Sequence, residues 1–409
     1  MKFKKYKYDY FIFILVASLA SGNFGGSLQL VRVLGILLFP KFYSSLKYSS
    51  INYLRAPKQF AIFFMIWSAF SFLWTVDIKS GITDYLYFII HFVLFFEIIV
   101  FSKRAKNPFL AISLGWAVAL FATSIIAFWE LQTGGHLSTS KLEEGFMVNR
   151  DGEIVIKRFA AATFYNYNMY ELFICYCTPF VIYLNMIAKK FKFTVLYFFL
   201  LVIALYIAVI NASRGAILSL AIMMAVGLYG LSKERKVNRS AVTFFAILSI
   251  VFVFYKKDTI LDNLMYRMSV TDMLDGHTRY DVWYRAWDLF VNSYGLGTGI
   301  GGLRKGMLTV SEVDDVIASH NLFLEVLLVH GIFVFIMFFA CVFKMFKKAY
   351  KVKQFNTRIV LLAAFFALPV YSIINSTYLQ SPSLYVYFAS LYVLIFCSSD
   401  GFNYNSSQN

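Results

Sequence analysis

Apolar runs of membrane-crossing length recur along the whole chain, and no other feature limits its fold as strongly. Twelve can be marked, at 9–24, 28–46, 59–76, 82–101, 109–130, 168–187, 193–210, 214–231, 240–256, 320–343, 358–375 and 379–398. A bilayer core of about 30 Å takes roughly 17–25 apolar residues in a helix. Backbone polar groups in hydrocarbon must bond within their own segment, so each run is read as a helix. Composition agrees, with 15% of residues charged against about 25% in soluble domains. The expectation is an all-α polytopic membrane protein of twelve spans, a single transmembrane domain over 1–409.

The formal charge of +16 raises nucleic acid as a partner, but its distribution argues against it. The basic residues gather in alternate loops, such as Lys103, Arg104 and Lys106, then Lys189, Lys190 and Lys192, then Lys344, Lys347 and Lys348. The loops between hold little beyond Lys79. By the positive-inside rule both termini face the cytoplasm. Two long loops, 131–167 and 257–319, then fall outside the cell, and the second is expected to contain short amphipathic helices. The tail at 401–409 reads as disordered. KFKKYKY followed by an apolar stretch ending ASLASG has the form of a signal peptide, and is read as a retained first helix. Four cysteines in or beside apolar runs read as packing residues rather than disulfides or metal ligands.

Polar residues concentrate at the outer ends of these runs. HTRYDVWYRAWDLFVNS has helical periodicity, with Thr278 as cap and Trp283, Ala286, Trp287 and Phe290 as an apolar stripe. Arg279 falls on that stripe near a helix N-terminus, where a cation opposes the macrodipole, so an anionic ligand suits it. GLGTGIGG at 295–302 reads as a flexible turn ending the surface helix, not as a phosphate loop. Arg214 begins the eighth run, and two arginines facing one cavity would hold a pyrophosphate bidentately. Arg158, Asn166 and Asn168 lead into the sixth run, as lining residues or as turn and cap residues. His320 begins the tenth run, where a helix N-terminus favours a neutral imidazole able to act as a general base. Asn321 and Glu325 share a helix face one turn apart; burying Glu325 in an apolar run costs free energy and asks for a partner inside the bundle. Asp314-Asp315 reads as a solvated pair rather than a metal site.

Together these pieces resemble the bacterial O-antigen ligase and O-antigen polymerase superfamily. They are R-F-A-A-A-T-F-Y-N-Y-N at 158–168, S-R-G at 213–215, R-x-x-x-W at 279–283, G-L-G-T-G-I-G at 295–301 and H-N-x-x-L-E…H-G-I across 320–332. The resemblance implies a helical membrane glycosyltransferase of the bacterial cytoplasmic membrane. Its donor would be a glycan on undecaprenyl pyrophosphate, and its acceptor a sugar of lipid A core or of another lipid-linked glycan. It implies no metal and no cofactor. Arg214 and Arg279 match the arginines expected on the donor pyrophosphate, and His320 the residue that activates the acceptor. Arg158, Asn166, Asn168, Trp283, Asn321 and Glu325 are the further candidate substrate-binding positions. A ligase is the favoured reading, with a polymerase of repeat units and, in another class, a lipid-linked glycan flippase as alternatives.

Overall fold

A computed structural model gives the structure, describing residues 6–46, 54–140, 145–148, 154–188, 190–233, 279–310, 319–375 and 377–399. Thirteen α-helices occur among the described residues. They are α1 (Lys7–Ala17), α2 (Leu30–Leu46), α3 (Arg55–Phe70), α4 (Ile78–Arg104), α5 (Pro108–Thr133), α6 (Tyr167–Ile187) and α7 (Phe191–Ile210). Then follow α8 (Arg214–Lys233), α9 (Arg279–Asn292), α10 (Leu303–Val310), α11 (Leu322–Tyr350), α12 (Phe355–Tyr371) and α13 (Pro382–Ser399). Seven, namely α3 with its 3-10 extension to Leu73, α4 to α8 and α11, are long and apolar enough to cross a membrane, and the chain is a multi-pass membrane protein. That is fewer than the twelve expected. α12 and α13 are shorter apolar helices, α1 and α2 have 11 and 17 residues, and the run at 240–256 lies outside the described residues, as do Thr278, Asp314-Asp315 and the 401–409 tail.

The first long loop also departs from expectation. It contains an antiparallel hairpin of β1 (Gly145–Val148) and β2 (Ile154–Lys157), pairing Gly145 with Lys157 and Val148 with Ile154. Four-residue strands are too short for their alternation to stand out from a loop.

α6 is the centre of the bundle. α5, α7, α8 and α12 pack around it, and nearly every residue from Tyr170 to Met186 is buried. Its tyrosines meet other tyrosines: Tyr176 stacks on Tyr387 at 4.4 Å, and the Tyr371 hydroxyl bonds that of Tyr387 at 3.0 Å. α3, α7 and α11 instead present large apolar side chains outward, among them Ile66, Phe199 and Phe339. A helix in lipid can expose such residues at no hydrophobic cost.

The two ends of the bundle differ in what they hold. At one end, Asp9 of α1 accepts from the backbone N–H groups of Lys106 and Asn107 at 3.0 and 2.6 Å, starting α5. There Arg104 donates to Ser45 O at 3.2 Å and to the Tyr8 hydroxyl at 3.1 Å. The opposite end holds the starts of α2, α4, α6, α8, α11 and α13, and the motif residues with them.

Two breaks in regular structure shape that opposite end. α11 is interrupted at Gly331, where φ is 74° and ψ −174°. The glycine-rich stretch Gly295–Gly302 runs through the gap. Thr298 N donates to Leu328 O at 2.7 Å, Ile332 N to Gly295 O at 3.0 Å, and Trp67 Nε1 to His330 O at 2.6 Å. On its other side, Ile300 N donates to Ser71 Oγ at 3.0 Å and Trp74 Nε1 to Gly297 O at 3.1 Å. Gly297 to Ile300 are buried, so the stretch is a packed wedge and not the flexible turn expected. Four of its five glycines, Gly295, Gly297, Gly299 and Gly301, take left-handed φ values of 75–79°, and a Cβ on Gly301 would overlap the backbone of Gly81. Close backbone approach, rather than freedom, is what glycine supplies here.

Candidate functional site

His320 stands just outside α11. It has φ 48°, and the helix is capped by the next residue, Asn321, whose Oδ1 accepts from Phe323 N at 2.9 Å and Leu324 N at 3.3 Å. The expectation placed the helix start at Ser319 or His320; Asn321, the better capping residue, takes that role. The first turn of α11 is tied sideways, because Leu322 N donates to Ser372 O at 2.8 Å in the turn after α12. The start of α8 meets the same turn from another side. A Cβ on Gly215 would lie 2.9 Å from Ile374 Cγ1. Arg214 is exposed at the head of α8. The chain around 370–374 therefore lies against both the Arg214 and the His320 stretches.

The 158–168 stretch joins this group through buried polar pins. Glu130 Oε2 accepts from Ala161 N and Ala162 N at 2.8 and 2.7 Å. Asn211, three residues before Arg214, brackets Ala160 with bonds of 2.8 Å from its N–H and 2.9 Å to its carbonyl, and donates to Glu171 Oε1 at 2.6 Å. Asn166 caps α6, its Oδ1 accepting from Met169 N at 2.9 Å, and Asn168 is half-buried on the first turn. Arg158 donates to the carbonyls of Leu131 and Gln132. A cation there complements the C-terminus of α5.

α9 covers the wedge. Its buried line is Val282, Ala286 and Leu289, packed on Met307 of α10 and Leu328 of α11. The expected stripe is corrected by about one residue, since Trp287 is exposed. At a membrane boundary an indole is stable at the surface. Trp283 Nε1 donates to Ser319 O at 3.1 Å, joining α9 to the residue before His320. Arg279 opens α9 one turn earlier; its side chain lies outside the described residues.

Glu325 finds its partners in the loop between α12 and α13. It is 4% exposed, and its Oε2 and Oε1 accept from Tyr378 N at 2.8 Å and Leu379 N at 2.9 Å. Two donors on one carboxylate answer the cost of burying it. The same signal, a charged residue within an apolar run, marks Arg32 and Glu130, which the motif-led reading passed over. Ala162 and His320, at φ 51° and 48°, fall in two of the motif stretches, and Ala212 and Tyr294, both at φ 52°, immediately precede two others. An L-residue in left-handed conformation costs roughly 1–2 kcal/mol, and such strain is characteristically kept at functional sites.

Residues 199–339 match a family described as O-antigen ligase. That region contains Arg214, Arg279, the glycine wedge and His320. The teichuronic acid biosynthesis protein TuaE of Bacillus subtilis (strain 168) is 24% identical over 284 residues, covering 67% of this chain and 57% of that protein.

Proposed function

We propose that this chain, whose residues 199–339 match a family described as O-antigen ligase, works in cell-surface polysaccharide biosynthesis and moves a glycan from undecaprenyl pyrophosphate to an acceptor sugar. The reaction takes place at the outer face of the cytoplasmic membrane, to which the positive-inside rule assigns the motif end. The observation that carries this reading is the gathering of the Arg214 turn, the start of α9 and the His320 cap about the chain at 319–322 and 370–374. An acceptor hydroxyl attacks the anomeric carbon of the donor. The bond from that carbon to the pyrophosphate oxygen breaks, the glycosidic bond forms, and the proton passes to His320. Arg214 and Arg279 stabilise charge on the departing pyrophosphate. Both substrates are lipid-anchored, so holding them at one bilayer depth lowers the entropic part of the barrier.

A flippase fits less well. Transporters commonly place broken helices beside an open cavity at the bilayer midplane, whereas the break in α11 is filled by the wedge and its hydrogen bonds. Ligase and polymerase share this chemistry, and the family description supports the ligase. The test is transfer by the purified protein in nanodiscs, with lipid-linked glycan, acceptor and chelator. Arg214→Ala, Arg279→Ala and His320→Ala are each expected to lower turnover about 100-fold or more with unchanged melting. Full activity in Arg279→Ala or His320→Ala overturns the mechanism. A product ladder on the carrier lipid would assign a polymerase instead.

A further inference from the structure

A further cation, Arg32, stands at this end of the bundle, and no part of the mechanism above uses it. Arg32, in the first turn of α2, is 4% exposed. Its guanidinium donates to three neutral acceptors: Nη1 to Ser27 O at 3.0 Å, Nη2 to Gln380 O at 3.0 Å and Nε to His91 Nε2 at 3.2 Å. An arginine cannot accept, so His91 must present a lone pair at Nε2 and carry its proton on Nδ1. The Tyr87 ring lies 3.8 Å from Arg32 Cζ. Among the described residues no carboxylate pairs with Arg32; Asp84 Oδ1 instead accepts from Gln380 Nε2 at 2.8 Å. A buried cation with only neutral partners is costly. Five N–H donors less three leaves two for something else.

Arg32 lines a cavity of about 380 Å³ between the ends of α1 and α2, the side of α4 and the loop before α13. That volume is near the lower end of the roughly 300–1,000 Å³ typical of small-molecule sites. Gln29 lines it too. Its Nε2 donates to Asn23 Oδ1 at 3.2 Å, while its Oε1 is buried with no hydrogen-bond partner among the described residues. Ser381 and Ser383 add hydroxyls to the wall. The cavity thus offers a cation, an unused acceptor and neutral hydroxyls. An anionic group carried next to hydroxyl donors satisfies all of them. The wall loop is the one Glu325 grips through Tyr378 and Leu379, so an occupant lies beside the helix that follows His320.

We infer that this cavity binds one acidic sugar residue, a uronate or a sugar phosphate, with its anionic group on Arg32 and a hydroxyl on Gln29 Oε1. That the sugar belongs to a glycan undergoing transfer rests on the function proposed above; the binding itself does not. The test is titration of the full chain in nanodiscs with glucuronate, glucose 6-phosphate, glucose and inorganic phosphate at constant ionic strength, read by thermal unfolding. At least one acidic sugar is expected to stabilise the protein saturably, with glucose and inorganic phosphate much weaker. Arg32→Gln should weaken binding about tenfold or more, the loss of a charge-assisted bond. Gln29→Glu covers the chance that Arg32→Gln folds poorly: it gives Arg32 an internal carboxylate, so it should keep the fold and lose the ligand. Saturable binding that survives both substitutions, no binding of either acidic sugar, or equal binding of inorganic phosphate would overturn the inference. Arg214→Ala and His320→Ala should bind the sugar normally. Binding without transfer would therefore sink the proposed reaction and leave the cavity standing, and transfer without binding the reverse.

Discussion

The motif end of the bundle is held together in two different ways. Around Gly295–Gly302 the chain is fixed by the absence of side chains, with backbone packed on backbone at Gly81, Leu328 and Gly331. Around Ala160–Ala162 and Tyr378–Leu379 it is fixed by buried carboxylates, Glu130 and Glu325, each accepting from two consecutive backbone N–H groups. Both devices address one problem. A loop at a membrane surface has backbone donors and acceptors to satisfy and few apolar contacts with which to hold a position. A Cβ has no room at Gly297, Gly299, Gly301 or Gly302 of the wedge. A carboxylate pin depends on two hydrogen bonds and leaves its surroundings some room to adjust.

Substitutions separate the two. The largest effect is expected from Gly301→Ala, which adds a clash with Gly81 to the strain of a left-handed L-residue. The two terms together give about 2–5 kcal/mol. Gly26→Ala is its control, also at positive φ, 58°, but with nothing within 4 Å of the added methyl, and should cost about 1–2 kcal/mol. Equal melting temperatures for the two proteins in the same detergent would show that close packing does not hold the wedge. Next comes Glu325→Gln. The amide keeps one acceptor and turns an NH₂ towards a backbone donor, stranding it, at about 1–3 kcal/mol. Proteolysis at the loop after α12 should rise with it; melting and cleavage like the parent's would remove the carboxylate's assigned role. Trp283→Phe should have the smallest effect, about 0.5–1.5 kcal/mol for one hydrogen bond to Ser319 O. Because that bond positions the residue before His320, transfer should fall more than stability does. A variant that loses stability and no turnover would separate α9 from the reacting histidine.

Both devices left uneven traces in the sequence. The glycines of the wedge were visible as a motif, yet their purpose was not, because a flexible turn and a close-packed one have the same composition. Glu325 was visible as an acidic residue in an apolar run, and Tyr378 and Leu379 were not visible as its partners. The start of α11 was legible to within a residue or two, but Asn321 as its cap was not. The apolar stripe of α9 was legible, but not that Val282, Ala286 and Leu289 form its buried line while Trp287 is exposed. Arg32 was overlooked because its partners, His91 and Gln380, come from distant parts of the chain.

The sequence by itself determined that this is a helical, multi-pass membrane chain, because hydropathy acts over one helix length. It also singled out Arg214, Arg279 and His320 as candidate site residues. Only the tertiary structure decided where α11 breaks, what fills the gap, which backbone N–H groups each buried carboxylate receives, and that a cavity opens beside Arg32. Those outcomes depend on groups meeting across helices, and no local pattern encodes the distance between residues far apart in the chain.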